Sequence, residues 1–183
     1  LFVVTLIPFF GQINQLFIDQ LHGRMPARRE IVIVAIDDKS LQEIGAWPWD
    51  RSVFGKVVKN SGDAGARVIG IDVLFLEKRS GDEEMAKALT ESKAPAVLAS
   101  KLDTVHRTTL FPFYQLPKEQ FGFINFSPDP DAKIRRTFFP GEDLTLNQSS
   151  FSFSILNNYF NPELVQQKLL TAYPEGKQKS NSI

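Results

Sequence analysis

Two apolar runs, Ile31–Ile36 and Val68–Phe75, constrain this chain more than any other feature. Neither alternates polar with apolar positions, so each reads as a strand buried on both faces, as in a parallel sheet covered by helices. Between them lie WPWDRS (Trp47–Ser52), which carries both tryptophans, and a helical pattern with Val53, Phe54, Val57 and Val58 on one face. Strand, crossover helix and second strand at this spacing predict a βαβ unit. The expected class is therefore α/β, with a central, mixed and mostly parallel sheet flanked by helices.

Local signals place the remaining elements. Asp38 is expected to cap a short helix over Lys39–Ile44 that stops at Gly45, and Asp50 to cap the helix after the tryptophan loop. Ser61–Ala66 turns the chain into a strand over Arg67–Phe75. Ser80-Gly81-Asp82-Glu83 has the S-x-x-E form of a capping box, opening a helix that turns Met85, Ala88 and Leu89 inward. Ala94–Lys101 reads as a third strand. Gly122–Phe126 and Ile134–Pro140 read as an antiparallel hairpin around the turn residues SPDPDAK. Ser150–Phe160 is an amphipathic helix, and Pro162 opens a short one through Leu170. Gln12–Arg24 carries Ile13, Leu16, Phe17 and Leu21 as one helical stripe, which predicts an amphipathic N-terminal helix.

Composition excludes several function classes. The 183 residues suit one domain, placed at 12–172, followed by a polar tail at 173–183. Lys+Arg and Asp+Glu balance at 21 each, so no basic excess points to nucleic acid. With no cysteine there is no disulfide, thiolate metal site or cysteine nucleophile. His22 and His106 have no metal-ligand spacing, and no metal or cofactor is expected. Leu1–Phe10 is apolar but short of the about 20 residues that cross a bilayer. Residues 1–11 are either the end of a truncated membrane helix or an apolar leader, and the opening Leu1 suits a fragment or a processed form.

Each candidate site residue has a functional and a structural reading. Asp37 and Asp38 follow a predicted strand, where open α/β sheets bind ligands. They bind a cation or basic group, or else Asp38 caps a helix and Asp37 pairs with an arginine. Asp72 lies inside an apolar run, and a buried carboxylate needs a partner. Arg51 in the tryptophan loop is the expected one. Trp47 and Trp49 flank Pro48 on a loop and either recognise a ligand or fill the core. Arg135 and Arg136 are adjacent on a strand and point to opposite faces, which argues against joint anion binding. No nucleophile elbow or triad is present, so no enzyme is expected. The alternative is a small extracytoplasmic metal-dependent hydrolase using Asp37, Asp38 and Asp72.

Four stretches carry a resemblance: IVIVAIDDKSLQEIGAWPWDRSVF (Ile31–Phe54), AGARVIGIDVLFLE (Ala64–Glu77), GFINFSPDPDAKIRR (Gly122–Arg136) and SFSI (Ser152–Ile155). In this order they resemble the class-two CHASE domain, the extracellular input module of bacterial adenylate and diguanylate cyclases, histidine kinases and serine/threonine kinases. The likeness spans about Ile13 to Phe160. One departure is Ala132-Lys133, where the family has a glycine turn. The resemblance implies a signal-sensing domain outside the inner membrane, anchored by flanking helices, with Leu1–Phe10 as the end of one. An unknown small-molecule or ionic signal and a homodimeric receptor follow as expectations. Asp37, Asp38, Trp47, Trp49, Arg51 and Asp72 are the candidate ligand contacts.

Overall fold

A computed structural model describes residues 30–103, 106, 108–126, 128–129, 131–134, 149–161, 163–165 and 167. The chain divides into two compact units, Leu1–Ala46 and Trp47–Ile183.

The described part of the first unit contains one helix, α1 (Asp38–Ile44). Asp37, not Asp38, is its N-cap. Asp37 Oδ1 accepts from Ser40 N at 2.9 Å, and Ser40 Oγ accepts from Asp37 N at 2.8 Å, which closes a capping box. Asp38 is the first helical residue and its carboxylate favours the positive end of the helix. Gly45 ends α1 as anticipated. The preceding Ile31–Ile36 run corrects the first expectation. It takes no strand conformation, and Ile31, Val32, Ile33 and Val34 are 70–84% exposed. Its composition suits a buried strand, but a strand forms through pairing and packing with neighbours rather than by local preference.

The second unit builds a mixed sheet of four strands flanked by helices. In chain order these are α2 (Arg51–Asp63), β1 (Ile69–Ile71), α3 (Asp82–Glu91), β2 (Ala96–Asp103), β3 (Thr108–Leu110), a 3₁₀ turn (Lys118–Gln120), β4 (Phe121–Phe123) and α4 (Phe151–Tyr159). β2 pairs in parallel with β1 through Ile69↔Ala96 and with β4 through Leu98↔Phe121, and antiparallel with β3 through Lys101↔Leu110. The βαβ unit is therefore β1–α3–β2, one step further along the chain than anticipated. β1 covers only the centre of the predicted Arg67–Phe75 strand. The antiparallel pairing described is β2 with β3. β4 pairs with β2, and the second arm of the expected hairpin lies, but for Ile134, outside the described residues. The N-terminal segment 1–24, Arg135–Arg136 and the tail also lie outside them, while 163–165 and 167 of the expected C-terminal helix are helical.

The helices cover both faces. α2 turns Phe54 and Val58 inward and α3 turns Met85 and Leu89 inward, as their spacing requires. α4 lies on the face that carries Gly70 and Gly122. A Cβ on Gly122 would collide with the Phe151 backbone, and one on Gly70 would sit 2.6 Å from Ile155 Cδ1. Glycine is what lets the helix approach the strands this closely. Ser154 then donates its hydroxyl to the Phe121 carbonyl at 2.8 Å, in full burial. At the core, Val97, Leu98, Ala99 and Phe75 are wholly inaccessible.

Candidate functional site

The tryptophan loop leads directly into the most polar part of this core. Asp50 Oδ1 accepts from Ser52 N at 2.9 Å and caps α2. Hydrogen bonds from the Ser52 and Ser80 side chains hold the Asp50 carboxyl below its ordinary value. The cap fixes Arg51 as the first helical residue and turns it inward. Arg51 N also donates to the Ser80 carbonyl at 2.9 Å, tying the start of α2 to the loop before α3. Gly81 N-caps α3 with φ +81°, and a Cβ there would collide with Asp50 and Ser52. A left-handed turn pressed against a neighbouring helix start admits only glycine comfortably. The expected Ser80 capping box is thus replaced by a glycine cap.

Three polar side chains meet where the two helix starts converge. Asp82 accepts from the Tyr114 hydroxyl through Oδ1 at 2.7 Å and from Arg79 N through Oδ2 at 2.6 Å. Arg51 Nε lies 3.8 Å from the same Oδ1, is buried, and has no hydrogen-bond partner. The Arg51 side chain is 4% exposed and that of Asp82 16%. The guanidinium sits 4.3 Å over the Phe75 ring, a cation–π contact that offsets part of its lost hydration. Edge-to-face contacts extend from Phe75 to Tyr114 at 6.0 Å and to Phe54 at 5.2 Å. Burial, and then the Asp82 hydrogen bond, push the Tyr114 phenol above its ordinary value, so it stays protonated. Burial lowers Arg51 from its ordinary value, while Tyr114 and Asp82 act the other way.

A cavity of about 860 Å³ opens beside Asp82 and Tyr114. Leu89, Phe113 and Leu116 supply its apolar wall; Lys78 and Arg79 bring positive charge, and Glu83 and Glu84 negative charge. Most of the lining is polar or charged, and Lys78, Arg79, Glu83, Glu84, Thr90 and Gln115 are exposed, so the cavity is an open surface concavity rather than an enclosed pocket. Among the described residues, no group of three or more His, Cys, Asp or Glu is placed to hold a metal.

The sequence-derived candidates divide clearly. Trp47, Trp49 and Arg51 come together: Trp47 stands edge-on to Trp49 at 5.9 Å and to Phe54 at 6.0 Å. Trp49 is core at 8% exposure, whereas Trp47 keeps 46%. Asp72 is exposed just past β1, and the carboxylate beside Arg51 is Asp82, which corrects the expected Asp72–Arg51 pair. The reason is strand length: β1 ends at Ile71, so Asp72 never enters the sheet. Asp37 and Asp38 belong to the Leu1–Ala46 unit, where Asp37 serves as a helix cap. Hydrogen bonding to Ser40 holds its carboxyl below the ordinary value. Asp82 and Tyr114 were not anticipated. A tyrosine among the phenylalanines of FPFY was the available signal, since a buried phenol needs a partner.

No match was found among curated proteins or among solved structures. The family model described as "CHASE2 domain" matches residues 1–182. The chain therefore belongs to the CHASE2 domain family, a family of extracellular sensor domains of membrane receptors.

Proposed function

We propose that this domain is the periplasmic sensing end of a bacterial inner-membrane receptor and that it reads a small molecule in the cavity beside Asp82 and Tyr114. The observation that carries the site is the buried Arg51–Asp82–Tyr114 cluster at the edge of that cavity. Buried ionisable groups with a specific charge partner beside a cleft are candidates for a functional site. Membership of a sensor family supplies the role.

A cavity-filling change tests the site. Gln115 is exposed and lines the cavity, so Gln115→Trp obstructs it without disturbing the core. In the intact receptor this variant is expected to lose the response to its signal while keeping wild-type abundance and melting temperature. An undiminished response would remove the cavity from the proposal. Location is tested separately. These 183 residues hold no cysteine, so Lys39→Cys adds the one thiol in this domain, and labelling by a membrane-impermeant maleimide in intact cells is expected to rise above that of the parent receptor.

We also propose a homodimeric receptor joined along Gln12–Arg24, on the strength of its stripe Ile13, Leu16, Phe17 and Leu21. Such a pair, continuous with a membrane helix, supplies a two-state element that a ligand can bias. Cysteines placed singly along this segment in membranes are expected to crosslink every three to four residues. No crosslink at any position would end the dimer proposal.

A further inference from the structure

β1 has one open side. Ile69 donates its N–H to the Pro95 carbonyl beside β2 at 3.0 Å, so Gly70, one residue on, directs its N–H and C=O away from β2. Among the described residues no strand stands on that side. Native edge strands are commonly blunted by charge or proline, and Ile69–Ile71 carries neither. α2 and α4 both reach β1, and each keeps apolar side chains only half-buried: Val53 and Val57 on α2, Phe151 and Ile155 on α4. The apolar cover available at β1 is therefore not fully used.

Ile31–Ile36 has the complementary property. Five of its six residues are β-branched, and none is charged or proline. Ile31, Val32, Ile33 and Val34 are 70–84% exposed, and the run has no strand partner among the described residues. β-branched residues suit a pleated strand, and apolar residues at consecutive positions suit one covered on both faces. An uncharged segment of this length and composition, left unpaired, is an aggregation hazard.

We propose that Ile31–Ile36 of one receptor copy adds as a strand to the free edge of β1 in a second copy, and that the exchange is reciprocal. This rests on the homodimer proposed above. Exchange of an identical element between protomers is a low-cost route to a dimer. The run begins shortly after Gln12–Arg24, so a dimer joined there brings two copies of it close together. The added strand meets the Gly70 N–H and C=O as ladder partners and brings apolar side chains to both faces of the sheet. Asp37 follows the run and caps α1, so pairing also fixes the start of that helix.

The test uses the intact receptor in membranes, expressed as two differently tagged copies. One copy carries a cysteine at a single position of Ile31–Ile36; the other carries Val68→Cys or Asp72→Cys, at the two ends of β1. Each variant alone is the blank. Oxidation is expected to link the tags, with high yield at alternate positions of the run, because side chains alternate between the faces of a strand. Val68→Cys and Asp72→Cys are expected to select opposite ends of the run. Adjacent prolines, Ile33→Pro/Val34→Pro, remove a ladder donor whichever way the strand faces, and are expected to abolish the links made at the other positions. No link between tags at any position overturns the exchange. So does a yield uniform along the run, which marks chance collision, or a link that survives the prolines. Both cysteines are also placed on one chain; a disulfide within that chain and none between tags overturns it as well. Crosslinks along Gln12–Arg24 separate the two levels. If they form and the tags stay unlinked, the exchange fails and the homodimer stands. If neither forms, the homodimer fails with it. If only the tags link, the exchange stands and the Gln12–Arg24 contact fails.

Discussion

Arg67 closes the C-terminal end of α4 through Tyr159. Its Nη2 donates to the Tyr159 carbonyl at 3.2 Å, and its guanidinium carbon lies 4.4 Å over the Tyr159 ring. One side chain thus meets a terminal helix carbonyl, the negative end of the helix dipole and an aromatic face. Arg67 is exposed, which keeps each contribution small. Arg67→Ala is expected to cost about 1 kcal/mol in urea denaturation. Arg67→Lys should recover only part of that, because a point charge replaces the planar group.

Asp82, at the start of α3, and Asp72, just past β1, should behave in opposite ways. Asp82→Ala leaves the Arg51 guanidinium and the Tyr114 hydroxyl without their carboxylate, at an expected cost of about 3 kcal/mol. Asp72→Ala removes an exposed side chain and should stay within about 0.5 kcal/mol of wild type. Denaturant midpoints of both variants decide the matter, and a larger loss for Asp72 would contradict the assignment of Arg51 to Asp82.

The contact between α4 and the sheet predicts a third result. Ser154→Ala leaves the buried Phe121 carbonyl without its hydroxyl donor, at an expected cost of about 1–2 kcal/mol. Gly122→Ala forces the Phe151 backbone away from β4 and should cost more, about 3 kcal/mol. Equal stabilities for Gly122→Ala and wild type would mean that α4 does not lie against that strand.

Acid stability should carry the mark of Asp63. Hydrogen bonds from Lys59 and then Lys93 lower its pKa from 3.8 to about 2. The folded value is depressed, so the contribution is fully present above the ordinary carboxylate pKa and is lost as pH falls from 3.8 toward about 2. NMR titration of the Asp63 carboxyl carbon is expected to give a midpoint near 2. In Lys59→Met/Lys93→Met the midpoint should return toward 3.8, and high salt should move it the same way because the site is exposed.

The turn at Asp129–Lys133 carries an alanine in an unusual conformation. Ala132 has φ +61° and donates its N–H to the Asp129 carbonyl at 2.8 Å, while Asp129 N bonds the Lys133 carbonyl at 2.9 Å. A left-handed residue with a Cβ costs roughly 1–2 kcal/mol, which glycine avoids. Glycine's greater freedom in the unfolded chain returns part of that gain. Ala132→Gly is therefore expected to raise stability by about 0.5–1 kcal/mol. A lower melting temperature for this variant would contradict the turn geometry.

What could be read in the sequence was local or periodic. Asp50 as a helix cap, the inward faces of α2 and α3, β2 and α4 follow from spacings of four residues or fewer. Partners were harder to read. Ile31–Ile36 and Ala96–Ala99 are both apolar runs, yet among the described residues only the second pairs with other strands. Asp72 reads as the carboxylate that needs a cation, with Arg51 as its partner, but the carboxylate beside Arg51, Asp82, stands in a segment that also reads as a helix start. Nothing in the immediate neighbourhood of Ser80–Glu83 distinguishes a capping role from a tertiary one. The choice is made by Tyr114, 32 residues away.

β2 is the common neighbour of β1, β3 and β4 among the described residues. Its separate edges and ends carry different pairings: Ala96–Leu98 with β1, Leu98–Ser100 with β4, and Lys101–Asp103 with β3. Each of the three pairs with β2, so β2 cannot leave without dissolving every strand pairing described. Small rearrangements in one strand need not spread to the others, whereas any disturbance that reaches β2 is felt by all three at once.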